Sequence, residues 1–217
     1  MIRGLTYWLR GNLYVSVTNR VNSLSPVVLR GPSFTMPSES GFCKLSYEND
    51  TDFEPTSDMI FDAVDQAFEA GKIAVSSMDS EQVTFAGYGE PLLRAEVICD
   101  AATMIKDKRH GVPLRIKTNG LVSSSDASDL ALRLRDSGID KMCISLNSDN
   151  PKQHQEIMKP TTDAKFGDVC SFVIACVEAG LEVECTAVER PDVNISGVRA
   201  LAMSLGATEF NKASFHP

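Results

Sequence analysis

Residues 113–146 read PLRIKTNGLVSSSDASDLALRLRDSGIDKMCISL and hold one complete strand–helix–strand unit. Leu114, Ile116 and Thr118 alternate with Arg115 and Lys117, the period-two pattern of a strand. Ala127, Leu130, Ala131 and Leu134 then recur at helical spacing and run into Gly138. Glycine suits the residue just past a helix, where the chain turns left-handed. A second apolar strand follows over 140–146.

The same unit repeats outward in both directions. Ile60 to Phe68 leads to Gly71, Ile98 to Ile105 towards Gly111, Phe166 to Val177 to Gly180, and Val198 to Leu205 to Gly206. The strands expected are 12–18, 82–86, 113–118, 140–146, 181–188 and 208–213. Strands alternating with helices predict an α/β fold with a parallel sheet and right-handed crossovers. A doubly wound sheet and a partial barrel both fit. A full eight-fold barrel takes ~250 residues, so six units indicate an incomplete one. Ligands in either architecture bind at the carboxyl ends of the strands.

The chain has 217 residues, enough for one domain with a proper core. No apolar run has the length of a membrane span. The net charge of -8 argues against a general nucleic-acid binder. Arg3, Arg10, Arg20 and Arg30 precede the first acid, Glu39. An acid-poor start suits a transit peptide. Leu13, Val15 and Val17, alternating with Tyr14, Ser16 and Thr18, instead read as a strand, so folded structure is expected to begin near residue 12. The six cysteines form no C-x-x-C pair and read as reduced core residues of an intracellular, cytoplasmic protein.

Chemistry is expected where the strands end. Gly87-Tyr88-Gly89-Glu90-Pro91 follows the second strand. Its glycines allow close backbone approach, and Glu90 stands at the sheet mouth as an acceptor for an ammonium or hydroxyl. The plain alternative is a tight turn with a solvated glutamate. The spacing is not a nucleotide-phosphate fingerprint. Thr118-Asn119-Gly120 ends the third strand, and Ser145-Leu146-Asn147-Ser148 ends the fourth. Each asparagine alone reads as a turn former. Polar ends on three successive strands together point to a polar pocket.

These segments resemble the radical S-adenosylmethionine (radical SAM) enzymes, most closely the TatD-associated subgroup. The resemblance lies in LYVSVTNR (13–20), VTFAGYGEP (83–91), PLRIKTNG (113–120), ISLNSDNPKQHQEIMKP (144–160) and the 200–210 end. It implies one core domain over 1–217, a parallel (β/α)6 partial TIM-type barrel binding S-adenosylmethionine at the strand ends. By that resemblance Gly87, Tyr88, Gly89 and Glu90 meet the methionine amino group, and Asn119, Ser145 and Asn147 line the ribose and carboxylate side.

One feature of the family is missing. The resemblance implies a C-x3-C-x2-C segment after the first strand, whose three thiolates hold a [4Fe–4S] cluster. The corresponding residues here are Val21, Ser25 and Val28. Valine has no donor atom, and a serine hydroxyl is a poor substitute for thiolate on iron. Loss of radical catalysis is therefore expected, with a retained S-adenosylmethionine-type pocket. One alternative is an active enzyme whose cluster is held by Cys43, Cys143 and Cys185 or by a partner. Another is a non-catalytic scaffold that binds a protein through the long 19–56 loop, which holds Pro26, Pro32, Pro37 and Pro55.

Remaining candidates are weaker. Lys117 reads as pairing with Glu90 or snorkelling, with a Schiff-base role as the alternative. His110, His154 and His216 read as surface residues, not as a metal set. Glu182, Glu184, Glu189 and Asp192 read as a solvated acidic stretch. Arg30-Gly31-Pro32 reads as a turn, with anion binding as the alternative.

Overall fold

The computed structural model describes residues 2–48, 50–70 and 83–217. Strands β1 (Ile2–Arg3) and β2 (Thr6–Leu9) precede the expected start at residue 12, because β2 folds back as an antiparallel partner of β3 (Asn12–Val15). Helix α1 (Pro26–Leu29) and β4 (Ser46–Tyr47) lie within the long loop, and β4 pairs with β1. The repeating units then follow: α2 (Ser57–Glu69), β5 (Val83–Phe85), α3 (Ala95–Lys108), β6 (Leu114–Thr118), α4 (Ala127–Asp136) and β7 (Lys141–Ser145). After them come α5 (Pro151–Met158), α6 (Phe166–Glu178), β8 (Glu182–Glu189), α7 (Ile195–Ser204) and β9 (Glu209–Ser214). Gly71 and residue 82 of the sequence expectations lie outside the described residues.

Among the described residues the main sheet has seven strands in the order β2-β3-β5-β6-β7-β8-β9. Every pair from β3 to β9 is parallel. The sheet curls into a half-barrel, which is the expected (β/α)6 partial barrel with one antiparallel strand added at its edge.

Alternation sorts the strand residues onto two faces. Leu13, Val83, Leu114, Met142 and Val183 are buried and belong to the main core. The inner stripes of the helices join the same core, among them Ile60, Ile98, Leu134, Phe172 and Val198. Each such side chain contributes about 1.5–3 kcal/mol by leaving water. The other face carries Tyr14, Arg115, Lys117, Ser145 and Thr186, which are half-buried or exposed. The helices therefore cover the convex side, and the concave side stays polar.

Candidate functional site

The parallel strands end at one rim, and the rim residues there bond to one another. Glu90 is only 7% exposed, so the solvated-glutamate alternative is corrected. Its Oε1 accepts from the Thr118 hydroxyl at 2.6 Å and from Leu92 N at 3.1 Å, and its Oε2 from Asn119 N at 2.9 Å. The side chain thus caps the turn at Pro91–Arg94 and ties the β5 and β6 ends together. Burial pushes the carboxyl pKa up, and the three donors pull against it without cancelling it. An ionised carboxylate has about four acceptor sites, so one remains for a further donor.

The two glycines serve close packing. A Cβ on Gly89 would stand 2.4 Å from Arg20 O and 2.5 Å from Thr18 O. On Gly87 it would stand 2.5 Å from Ser16 Oγ. The turn can therefore lie directly on the chain leaving β3, where Gly89 N donates to Thr18 O at 3.2 Å and Glu90 N to Arg20 O at 2.8 Å. Tyr88 is half-buried, with the Lys44 ammonium 4.3 Å from its ring centre.

Asn119 is buried, and its Nδ2 donates to Asn22 Oδ1 at 2.6 Å and Ser23 Oγ at 3.0 Å. Asn147 takes the left-handed conformation at φ 56°. Its amide is engaged by Val188 N at 3.1 Å and Met158 Sδ at 3.1 Å. Ser145 is half-buried on the concave face.

The 19–56 segment crosses this rim. Asn19 pairs with both backbone groups of Leu45 and donates to Thr51 O at 3.0 Å. Glu54 takes the Thr18 hydroxyl, Arg20 Nε at 2.8 Å and Arg94 Nε at 3.3 Å. Further along, Leu24 N donates to Met158 O at 2.8 Å and Thr161 N to Asn22 O at 2.9 Å. His216 N donates to Arg30 O at 2.8 Å, so the Arg30-Gly31-Pro32 turn holds the C-terminal tail. The segment is a strap reaching from β3 to the end of β9.

Several expectations need correction. Lys117 is exposed and lies over Tyr14, its Nζ 5.8 Å from the ring centre, rather than paired with Glu90. His154 is fully buried, packed against Phe166, and His216 is half-buried beside Phe34. Glu184 is buried and paired with Arg115 at 2.6 Å, because it sits mid-strand on the concave face, whereas Glu182 and Glu189 at the two ends of β8 remain exposed. The roles of Thr118, Asn22 and Ser23 were missed. Strict alternation puts Thr118 on the convex face, yet its hydroxyl reaches Glu90 at the strand end.

The model of the radical SAM superfamily matches residues 41–194. The chain belongs to the radical SAM superfamily. A protein of Methanocaldococcus jannaschii named "Probable GTP 3',8-cyclase" is 33% identical over 117 residues, which are 54% of this chain and 32% of that protein. The chain thus spans about a third of the length of that relative. The structure of Streptococcus suis SuiB bound to S-adenosylmethionine superposes with a TM-score of 0.61 at 16% identity, over 94% of this chain and 38% of the other. The FeFe-hydrogenase maturase HydG of Carboxydothermus hydrogenoformans gives 0.63 at 14% identity, over 94% and 44%. These two likenesses carry the half-barrel fold.

Membership in the radical SAM superfamily implies S-adenosylmethionine and a [4Fe–4S] cluster. At the three positions that the resemblance aligns with the cluster ligands, the side chains carry no thiol. Val21 and Val28 are exposed hydrocarbon, and the Ser25 hydroxyl is buried without a partner. All six cysteines are free thiols, and none lies in 20–42. Cys143 sits opposite Glu184 while Cys185 sits opposite Ile144, so these two thiols point to opposite faces of the sheet. Among the described residues no group of three His, Cys, Asp or Glu side chains is placed to hold a metal ion.

Proposed function

We propose that this chain is a radical SAM-fold protein that retains a pocket for S-adenosylmethionine or a similar nucleoside but has a degenerate cluster site. Radical generation would then be lost. The observation that carries this reading is the donor set at Val21, Ser25 and Val28, none of which offers a thiolate. The retained pocket is formed by Gly87, Tyr88, Gly89 and Glu90, with Asn119, Ser145 and Asn147 on the neighbouring strand ends. The spare acceptor site on Glu90 suits an ammonium. Because Asn22 and Ser23 engage Asn119, ligand entry requires the strap to shift, and affinity without iron chelation is weak.

The same reading places the chain in the TatD-associated subgroup, on the segments that carry the resemblance. Six free thiols suit a reducing, intracellular compartment. The strap is also the surface for a protein partner, should the pocket prove empty of function.

The test is anaerobic reconstitution with iron and sulfide, followed by metal quantification per chain. We expect no stoichiometric cluster; four irons per chain would overturn the reading. Calorimetry without iron then follows, with S-adenosylmethionine and with guanosine triphosphate, the nucleotide in the name of the Methanocaldococcus jannaschii relative. Heat with S-adenosylmethionine that is lost in Glu90→Ala supports the pocket. No heat with either ligand, together with a partner captured through 19–56, would favour the scaffold.

A further inference from the structure

The concave face of the half-barrel lies below the rim, and of its residues only Ser145 enters the reading above. Its charges are unevenly satisfied. At the strand starts, Lys141 holds Glu182 and Glu209, each at 2.8 Å. One step up, Glu184 accepts from Arg115 Nη2 at 2.6 Å and Asn211 Nδ2 at 3.2 Å, with Lys141 at 3.6 Å. The acids of this face therefore already have their cations.

The cations do not all have their acids. Lys117 is exposed and forms no ion pair among the described residues. Its neighbour across the sheet is Cys143, a buried neutral thiol. Arg115 lies two residues earlier on the same face with the Cys143 thiol beside its guanidinium, and its Nε is buried with no oxygen acceptor. A buried N–H without a partner is costly, so an oxygen from outside the chain is favoured there. Ser145 presents a half-buried hydroxyl one strand over and one step nearer the rim. In a chain of net charge -8, an uncompensated cation in a concave, low-dielectric face draws anions to that point.

We propose that the concave face binds the anionic oxygens of a small molecule, a carboxylate or a phosphate, through Lys117 and Arg115, with the Ser145 hydroxyl beside them. Lys117 supplies the charge. Arg115 stays on Glu184 and offers its free Nε–H. The site rests on the mid-strand side chains of Lys117 and Arg115 and shares only Ser145, at the end of β7, with the pocket proposed above.

The probes are inorganic phosphate and malonate, titrated into the full chain at low ionic strength. Neither carries a nucleoside, so the result stands apart from the S-adenosylmethionine reading. At least one probe is expected to bind, with affinity falling as salt rises. Lys117→Gln should weaken that binding by about tenfold or more, as loss of a charge-assisted bond does. Its melting temperature should stay that of the parent, since the side chain is exposed. Binding of phosphate alone identifies a phosphate ester as the ligand class, and binding of malonate alone a carboxylate. Binding of neither, or equal binding by Lys117→Gln, would overturn the proposal.

Discussion

Asn119 reaches out of the end of β6 and donates its side-chain amide to Asn22 Oδ1 across 2.6 Å. The two residues lie 97 apart in sequence, and both are buried. This bond, with the Asn22 carbonyl accepting from Thr161 N at 2.9 Å, is what seats the strap on the rim. Asn22→Ala leaves the Asn119 amide with Ser23 Oγ alone. We expect a stability loss of ~1–2 kcal/mol, as for a buried amide left partly unpaired. Amide exchange should quicken over 20–25 more than over β6 itself. Uniform quickening across the whole chain would show that the bond does not seat the strap.

The close approach of Gly89 to Arg20 O and Thr18 O sets a second expectation. Both atoms are backbone, so neither can rotate away from an added Cβ. Gly89→Ala should cost ~2–3 kcal/mol or prevent folding, by forcing the turn off the β3 exit. Gly87 faces the Ser16 side chain first, with Oγ at 2.5 Å and Cβ at 2.8 Å. Gly87→Ala should therefore be partly rescued by Ser16→Gly, whereas no single side-chain change rescues Gly89→Ala. Denaturant melts of the single and double variants measure this.

Glu90 gives a pH dependence with a definite sign. Burial raises its folded pKa above the ordinary 4.5. The folded chain then holds a proton that the unfolded chain releases. This group's contribution to stability is greatest below pH 4.5 and falls as pH rises through the folded value. Glu90→Gln should flatten that part of the stability–pH curve, measured by urea melts across the range. A Gln amide also places a donor among the Thr118, Leu92 and Asn119 donors, so the variant should be less stable overall by ~1–3 kcal/mol.

The six parallel strands were legible because most of them alternate and most helices stop at a glycine, whereas their order came with the resemblance, since the pattern alone fits a doubly wound sheet and a partial barrel equally. β2 was not, because Tyr7 and Trp8 lie between short turns at Gly4 and Gly11 and complete no βα unit. The rim was half legible. Gly89, Glu90 and Asn119 stand out by residue type at strand ends. Asn22 and Ser23 do not, because their partners are far away in sequence. Glu184 was misplaced for a related reason. Local acidity suggested solvent, while the pairing of its strand with β9 and the reach of Arg115 decided burial.

His154 was misread the same way. A histidine on the polar helix α5 looks exposed in sequence, yet the helix lies with this side against α6 and Phe166, the ring centres 5.1 Å apart. Both ring nitrogens are buried without partners. Burial lowers the pKa from 6.5 to about 4. In the unfolded chain the ring gains its proton near pH 6.5; in the folded chain it does so only near pH 4. Its contribution is therefore intact above pH 6.5 and is lost as pH falls towards 4, by about 3 kcal/mol in all. This slope is opposite in sign to that of Glu90, so the single variants separate them. His154→Phe keeps the ring volume and removes two unpaired polar atoms. It should raise stability at every pH and abolish the loss between pH 6.5 and 4. Urea melts of this variant and its parent at pH 7 and pH 5 are the measurement. An unchanged pH slope would mean that the ring is solvated in the folded protein.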